Sequence, residues 1–142
     1  MSERNVDVVR DFFDLFAQGR LDRIKADLLA PDFEWTYHGP PALPWAGVYR
    51  GAEGFDRFFG IVADLINVRE CEPHEYLDAG DDVVVLGHSR TRILANNAEY
   101  HAEWINVFRL RDGRIAHYID LFDTATVVEA LRRPVKAGSD VG

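Results

Sequence analysis

The chain has 142 residues, 47% hydrophobic and 28% charged, the balance of one soluble domain that can bury a core without covalent staples. Its formal net charge is −8, and its only basic cluster is Arg132, Arg133 and Lys136, which argues against nucleic acid or an anionic membrane surface as a partner. Cys71 is the single cysteine, so no internal disulfide forms, and the polar N-terminus and the lack of a membrane-length apolar run lead to the expectation of a cytoplasmic protein.

Val6, Val9, Phe13 and Phe16 recur at helical spacing, with Ser2 as a possible cap and Gly19 as a stop. Leu21, Ile24 and Leu28 predict a shorter second helix ended by Ala30-Pro31. Phe33 to His38 alternates as a strand, with Phe33, Trp35 and Tyr37 on one face. A Pro- and Gly-rich loop, Gly39 to Gly51, carries Trp45 and Tyr49. Phe55, Phe58, Phe59, Val62 and Ile66 then share one face of a third helix. Four strands follow, Val68–Ala79, Asp82–Leu94, Glu99–Leu110 and Arg114–Phe122, with turns at Gly80-Asp81, Asn96-Asn97 and Asp112-Gly113. A short helix, Thr124 to Leu131, closes a single domain of residues 1–133, and residues 134–142 read as a flexible tail. Helices first and an antiparallel sheet afterwards predict an α+β fold.

The nine Phe, five Tyr and three Trp predict either a densely filled core or a cavity lined by rings. A three-residue loop, Arg111-Asp112-Gly113, would set Asn106 opposite Tyr118 and Trp104 opposite Asp120. Trp104, Asn106, Phe108, Tyr118, Asp120 and Phe122 then share one face, an aromatic wall with two polar groups. Asp120 on such a wall has its pKa raised by desolvation, as a general acid or base near neutral pH requires. The plainer alternative is an Asp120–Arg90 ion pair that only ties strands together. The facing of His88 and Arg90 depends on the turn before Glu99. With Asn96, Asn97 and Ala98 in the turn both point inward, and with Asn96 and Asn97 alone both point outward, Arg90 meeting Glu103. Tyr37, Trp35, Trp45 and Tyr49 are placed at a pocket mouth, with ordinary core packing the alternative and the favoured one for Trp35, and Phe59 of the third helix is a further ligand contact. His38, His74 and His117 lack metal-ligand spacing, and His101-x-Glu103 lacks a third ligand, so no metal is expected.

The order of elements from Ser2 to Leu131 resembles the nuclear transport factor 2 superfamily, in particular its SnoaL-like (polyketide cyclase-like) branch. The local pieces that carry the resemblance are Gly51-Ala-Glu-Gly-Phe55, Phe108-Arg-Leu-Arg-Asp-Gly-Arg-Ile115 and Tyr118-Ile-Asp-Leu-Phe-Asp123. It implies a cone in which a curved sheet wraps three N-terminal helices around a pocket, and it implies a homodimer through the outer sheet face, with Ile105, Val107 and Ile119 outward. The superfamily hosts many activities, so fold alone does not decide among them. At the positions of the ketosteroid isomerase Tyr and two Asp stand Phe12, Tyr37 and Asn106, which removes that proton shuttle. Against the limonene-epoxide hydrolase pattern Asp120 matches the last-strand Asp, but His88 and Arg90 occupy the other charged positions and Gly39 replaces an Asn. What the resemblance implies is a cofactor-independent acid–base enzyme acting on a hydrophobic small molecule. In it Asp120 is the proton carrier, with His88 and Asn106 assisting, and Tyr37, Trp45, Tyr49, Phe59, Arg90, Trp104, Phe108, Tyr118 and Phe122 contact the ligand. A non-catalytic binding or dimerisation module of the same fold is the alternative.

Overall fold

The computed structural model describes residues 2–135, with side chains from residue 4 onward. The Ser2 side chain, Lys136 and most of the expected tail fall outside the described residues.

Helix α1 spans Ser2–Ala17 and buries Val9, Phe12 and Phe13. It ends because Gly19 takes φ +72, letting the Gly19 and Arg20 amides bond back to the Phe16 and Leu15 carbonyls. The predicted second helix is only three α-helical residues, α2 (Leu21–Arg23), followed by a π-helical turn, Ile24–Leu28. Strand β1 begins at once, running Leu29–Tyr37, four residues earlier than Phe33. Pro31 ends no helix here. It falls where pairing with the last strand is interrupted between Leu29 and Glu34, a gap that suits a residue with no N–H to give. The Pro- and Gly-rich segment holds a short strand that its composition conceals, β2 (Gly47–Arg50). Helix α3 (Gly51–Leu65) starts directly from it, with Gly51 at φ +68 and Gly54 so close to the Tyr49 backbone that a Cβ there would lie 2.6 Å from a carbonyl carbon.

The remaining strands are β3 (Ile66–Ala79), β4 (Asp82–Ile93), β5 (Glu99–Arg111) and β6 (Arg114–Phe122), and α4 (Thr124–Leu131) follows. Asp123 caps α4 by accepting from the Thr126 amide and hydroxyl. Asn96 fastens its far end, its amide donating to the carbonyls of Ala130 and Arg133 at 2.9 Å each. The strands form one open six-stranded sheet in the order β2-β1-β6-β5-β4-β3. All neighbours are antiparallel except β1 and β6, so the sheet is mixed. Helices α1 and α3 pack on its inner face. The fold is α+β, of the nuclear transport factor 2 type. Among the described residues no helix is long and apolar enough to cross a membrane.

Two hairpins depart from expectation and decide what faces inward. The β5–β6 turn has two residues, Asp112 and Gly113, both at positive φ, and Arg111 pairs with Arg114. That register alone would turn Asp120 outward. A bulge at Ala116 restores it, because pairing moves from Leu110↔Ile115 to Arg109↔His117. Asn106 therefore lies opposite Asp120, Phe108 opposite Tyr118 and Trp104 opposite Phe122, each pair two residues from the predicted register but on the same face. The β4–β5 loop holds four residues, Leu94 to Asn97, closed by the Ile93 amide on the Ala98 carbonyl at 2.8 Å. In that register Val83, Val85, Gly87, Ser89 and Thr91 are buried while His88 and Arg90 take the outer face.

Candidate functional site

Between the sheet and helices α1 and α3 lies a hollow of about 100 Å³. Its walls are mostly rings, among them Phe12, Phe58, Phe59, Trp104 and Phe122. Asp120, on β6, is 3% exposed and is the only carboxylate among the described residues that lines it. Its neighbours come from two other strands. Trp35 of β1 donates its indole N–H to Oδ2 at 2.7 Å, and Asn106 of β5 donates its amide to Oδ1 at 2.6 Å. The Asn106 amide oxygen in turn accepts the Tyr118 hydroxyl at 3.1 Å, which fixes the amide so that its NH2 faces the carboxylate. Trp35 and Tyr118 stack in near-parallel planes with centroids 4.6 Å apart, so the donor cannot swing away.

Burial pushes the Asp120 carboxyl up to about 7, against the downward pull of the Trp35 and Asn106 donors. Burial likewise carries the Tyr118 and Tyr37 hydroxyls well above the usual tyrosine range, with the Asp120 charge adding to both, so they stay protonated. Tyr37 sits beside Asp120 in the β1–β6 register. The arrangement is one acid balanced between its two states at neutral pH, ringed by hydroxyl and N–H groups that hold their protons. Such a group can both take and return a proton. Replacing Trp35 with Phe removes the Oδ2 donor and keeps a ring. A charge-assisted hydrogen bond contributes about 1.5–3 kcal/mol, so the proton affinity of Asp120 is expected to rise tenfold or more. Carboxyl 13C chemical shifts followed through pH titration measure it, and an unmoved midpoint would show that the bond contributes nothing.

The structure brings together in this hollow Asp120, Asn106, Tyr37, Trp45, Phe59, Trp104, Tyr118 and Phe122. It does not bring in the other four candidates. His88 and Arg90 are on the opposite face of the sheet, because alternation along β4 gives the inner positions to Gly87, Ser89 and Thr91. His88 Nδ1 lies 2.9 Å from His74 Nε2, and Arg90 pairs with Glu70 and Glu99, not with Asp120 or Glu103. Phe108 is buried behind the wall, stacked on Tyr118 and edge-on to Phe12. Tyr49 packs edge-on against Phe58 with its hydroxyl donated to the Trp45 carbonyl, which holds the loop onto α3 without reaching the hollow. Twelve other residues line the hollow without having been site candidates, and Trp35, Cys71, Ser89, Thr91 and Tyr100 are those among them with a polar or sulfur atom in the side chain. Trp35 shares the Tyr37 face of β1, a signal that was available and points inward. Ser89 and Thr91 follow as soon as His88 is turned out. Among the described residues no three of His, Cys, Asp and Glu come together as metal ligands.

The model of the SnoaL-like domain family matches residues 9–118. The chain belongs to the SnoaL-like family. No curated protein matches the sequence. Among solved structures, this SnoaL-like protein is similar to an NTF2-like protein of unknown function from Burkholderia pseudomallei, at 28% identity and TM-score 0.81 over 92% of this chain and 98% of that one. An NTF2-like protein from Burkholderia thailandensis aligns at 25% identity and TM-score 0.83, covering 91% and 98%. TerC, co-crystallised with polyporic acid, shares the fold at 21% identity and TM-score 0.77, covering 92% and 99%.

Proposed function

We propose that this SnoaL-like protein is a cofactor-independent acid–base enzyme of the cyclase, isomerase or hydratase type, acting on a hydrophobic small molecule in the aromatic hollow. The observation that carries the reading is a fully buried carboxyl group at the bottom of that hollow, poised near neutral pH. Asp120 removes a proton from the ligand and returns it elsewhere. Trp35 and Asn106 stabilise the carboxylate form, Tyr37 offers a hydroxyl proton to an oxygen of the ligand, and the rings exclude water. That TerC was co-crystallised with polyporic acid adds support for a ring-bearing ligand in this fold.

An enolisable bicyclic ketone, 2-tetralone, is a suitable probe for proton transfer, followed by NMR as loss of α-hydrogen signal in D2O. Wild type is expected to speed exchange over buffer, with a rate that rises with a midpoint near pH 7, where Asp120 gains its charge. Asp120→Asn is expected to lose it by roughly a hundredfold or more, the usual size of a general-base contribution. A variant that exchanges as fast as wild type would leave Asp120 without that role and return the chain to the binding-module reading.

The same reading makes the protein a cytoplasmic homodimer with no nucleic-acid or membrane partner. Ile105 and Leu121 support the dimer, being 42% and 41% exposed on neighbouring strands of the outer face, with Val107 and Ile119 half-buried beside them. Sedimentation at the 16.1 kDa of a single chain across micromolar concentrations would remove it.

A further inference from the structure

The Asp120 carboxyl is met only by groups that give hydrogen bonds. Oδ2 accepts the Trp35 indole N–H at 2.7 Å and Oδ1 the Asn106 amide N–H at 2.6 Å, and no other side chain among the described residues hydrogen-bonds to it. An indole nitrogen donates and never accepts. An amide is different, because a half-turn about its last bond exchanges NH2 for oxygen. Turned over, Asn106 would offer its oxygen to Asp120 and take up the proton of the neutral acid in a hydrogen bond of its own. Tyr118 decides between the two orientations. Its hydroxyl donates to Asn106 Oδ1 at 3.1 Å, the one hydrogen bond that this hydroxyl makes among the described residues. Around the tyrosine are rings without an acceptor oxygen: Trp35 stacked at 4.6 Å and Phe108 at 4.4 Å between centroids, and Phe12 edge-on at 5.3 Å. An overturned Asn106 would point its NH2 at the tyrosine oxygen and leave the buried O–H with nothing to donate to. Asn106 stands opposite Asp120 and Phe108 opposite Tyr118, so all three polar groups belong to one hairpin, β5 and β6, with a fixed register.

We infer that Tyr118 is a positioning residue: its hydroxyl holds the Asn106 amide in the donating orientation, so that the proton of neutral Asp120 has no acceptor in the protein and is left for the molecule in the hollow. The tyrosine makes no hydrogen bond to the acid and acts on it through the amide. The inference rests on Asp120 being the proton carrier proposed above. Other titratable groups that line the hollow are Tyr37 of β1, Cys71 of β3 and Tyr100 of β5, each pushed up by burial and neutral at pH 7. Helices α1 and α3 bring only Phe12, Phe13, Phe16, Phe58, Phe59 and Val62, and among the described residues no Lys, Arg or His lines the hollow. No charged side chain therefore competes with the amide for control of the acid.

Tyr118→Phe keeps the ring and removes the hydroxyl. It is expected to raise the midpoint of the Asp120 carboxyl 13C titration by about one pH unit, tenfold in proton affinity, because the freed amide turns over and accepts from the neutral acid. The midpoint of the pH profile of proton exchange is expected to move with it. In 15N–1H spectra the Asn106 side-chain pair of wild type is expected to keep the shift of an amide bonded to a carboxyl throughout the titration. In Tyr118→Phe it is expected to lose that shift below the midpoint. Asn106→Leu removes the amide, and in that background Tyr118→Phe is expected to change the proton affinity by less than about twofold. A wild-type midpoint in Tyr118→Phe, an Asn106 signal that shows no turning over in it, or a full further shift in the Asn106→Leu background would each overturn the inference. The amide signal needs only the conservative variant, so it decides the matter even where Asn106→Leu does not fold. The carboxyl titration is read without turnover. An unmoved midpoint beside intact Asp120-dependent exchange removes this inference alone, and a moved midpoint without exchange removes the proton-transfer reading while the hold on the amide stands.

Discussion

Asp120→Asn is expected to make the fold more stable at pH 8 and to remove the loss of stability that Asp120 causes as pH rises from 4 to 8. The carboxyl sits at about 7 in the folded chain, against an ordinary value of 3.8. The folded state thus binds the proton more tightly than the unfolded state does. Its contribution is fully favourable below about pH 4, declines as pH rises from 4 to 7, and is gone above 7, where the folded chain must hold a buried charge. Three pH units correspond to about 4 kcal/mol, with the pull of the Trp35 and Asn106 donors already contained in the folded-state value. The amide is close in shape, never ionises, and still accepts the Trp35 N–H. Asn106 has to turn its amide over to meet the new NH2, at a small cost independent of pH. Urea unfolding of both proteins at pH 4, 6 and 8 measures the difference. Exposed pairs such as Arg109–Asp82 pull the other way, with Asp82 held below its ordinary value, but they are common to both chains and cancel. Parallel stability curves would mean that Asp120 is not buried as a lone acid, and the reading of the site would go with it.

The second large effect is at a position with no side chain at all. A Cβ on Gly87 would lie 2.4 Å from Cη2 and Cζ2 of Trp104 and 2.6 Å from the Glu72 carbonyl oxygen. None of these can give way cheaply. The indole is tied to Ser89 by its N–H and stacked on Phe13 with centroids 5.7 Å apart, and the carbonyl belongs to the neighbouring strand. Gly87→Ala is therefore expected to destabilise by about 3 kcal/mol, the upper part of the usual overpacking range, and to abolish binding in the hollow by pushing the ring into it. Thermal unfolding and probe binding check this. Adding Trp104→Leu to the alanine variant is expected to recover part of the stability but none of the binding, since the contact with the carbonyl oxygen remains and the ring is lost. An alanine variant as stable as wild type would show that the sheet is looser here than the close approach implies.

Much of this fold was legible because its elements carry strong periodic signals. Val6, Val9, Phe13 and Phe16 mark α1, Phe55, Phe58, Phe59 and Val62 mark α3, and turn residues separate the last four strands. The inner face of β5 and β6 was readable for a subtler reason. A three-residue loop and a two-residue turn with a bulge place Asn106 and Asp120 on the same face, and Ala116, which makes the bulge, is chemically ordinary. The facing of His88 was not readable, since Val83 to Leu86 are apolar on both sides and the loop length decides the parity. That loop is set by Asn96, which looks like a turn residue and instead works as a buried clamp on α4, 34 positions away. The Trp35–Asp120 bond joins strands that no local pattern relates, and β2 hides within a segment whose composition speaks only of turns.

The parallel pairing of β1 with β6 fixes when, as well as where, the proton-handling group comes into being. Trp35 and its acceptor are separated by 85 positions, so the chain that forms β3 to β5 has all been made before the final strand can reach the first. During synthesis the indole waits unpartnered until nearly the whole chain has emerged, so a truncated product ending before Tyr118 holds much of the greasy lining but neither the acid nor the full strand that flanks β1 on the side away from β2. Loops of that span close slowly. The protein should accordingly reach its working form in a late, concerted step, and the bare edge of β1 is the place where an unfinished copy would stick to another.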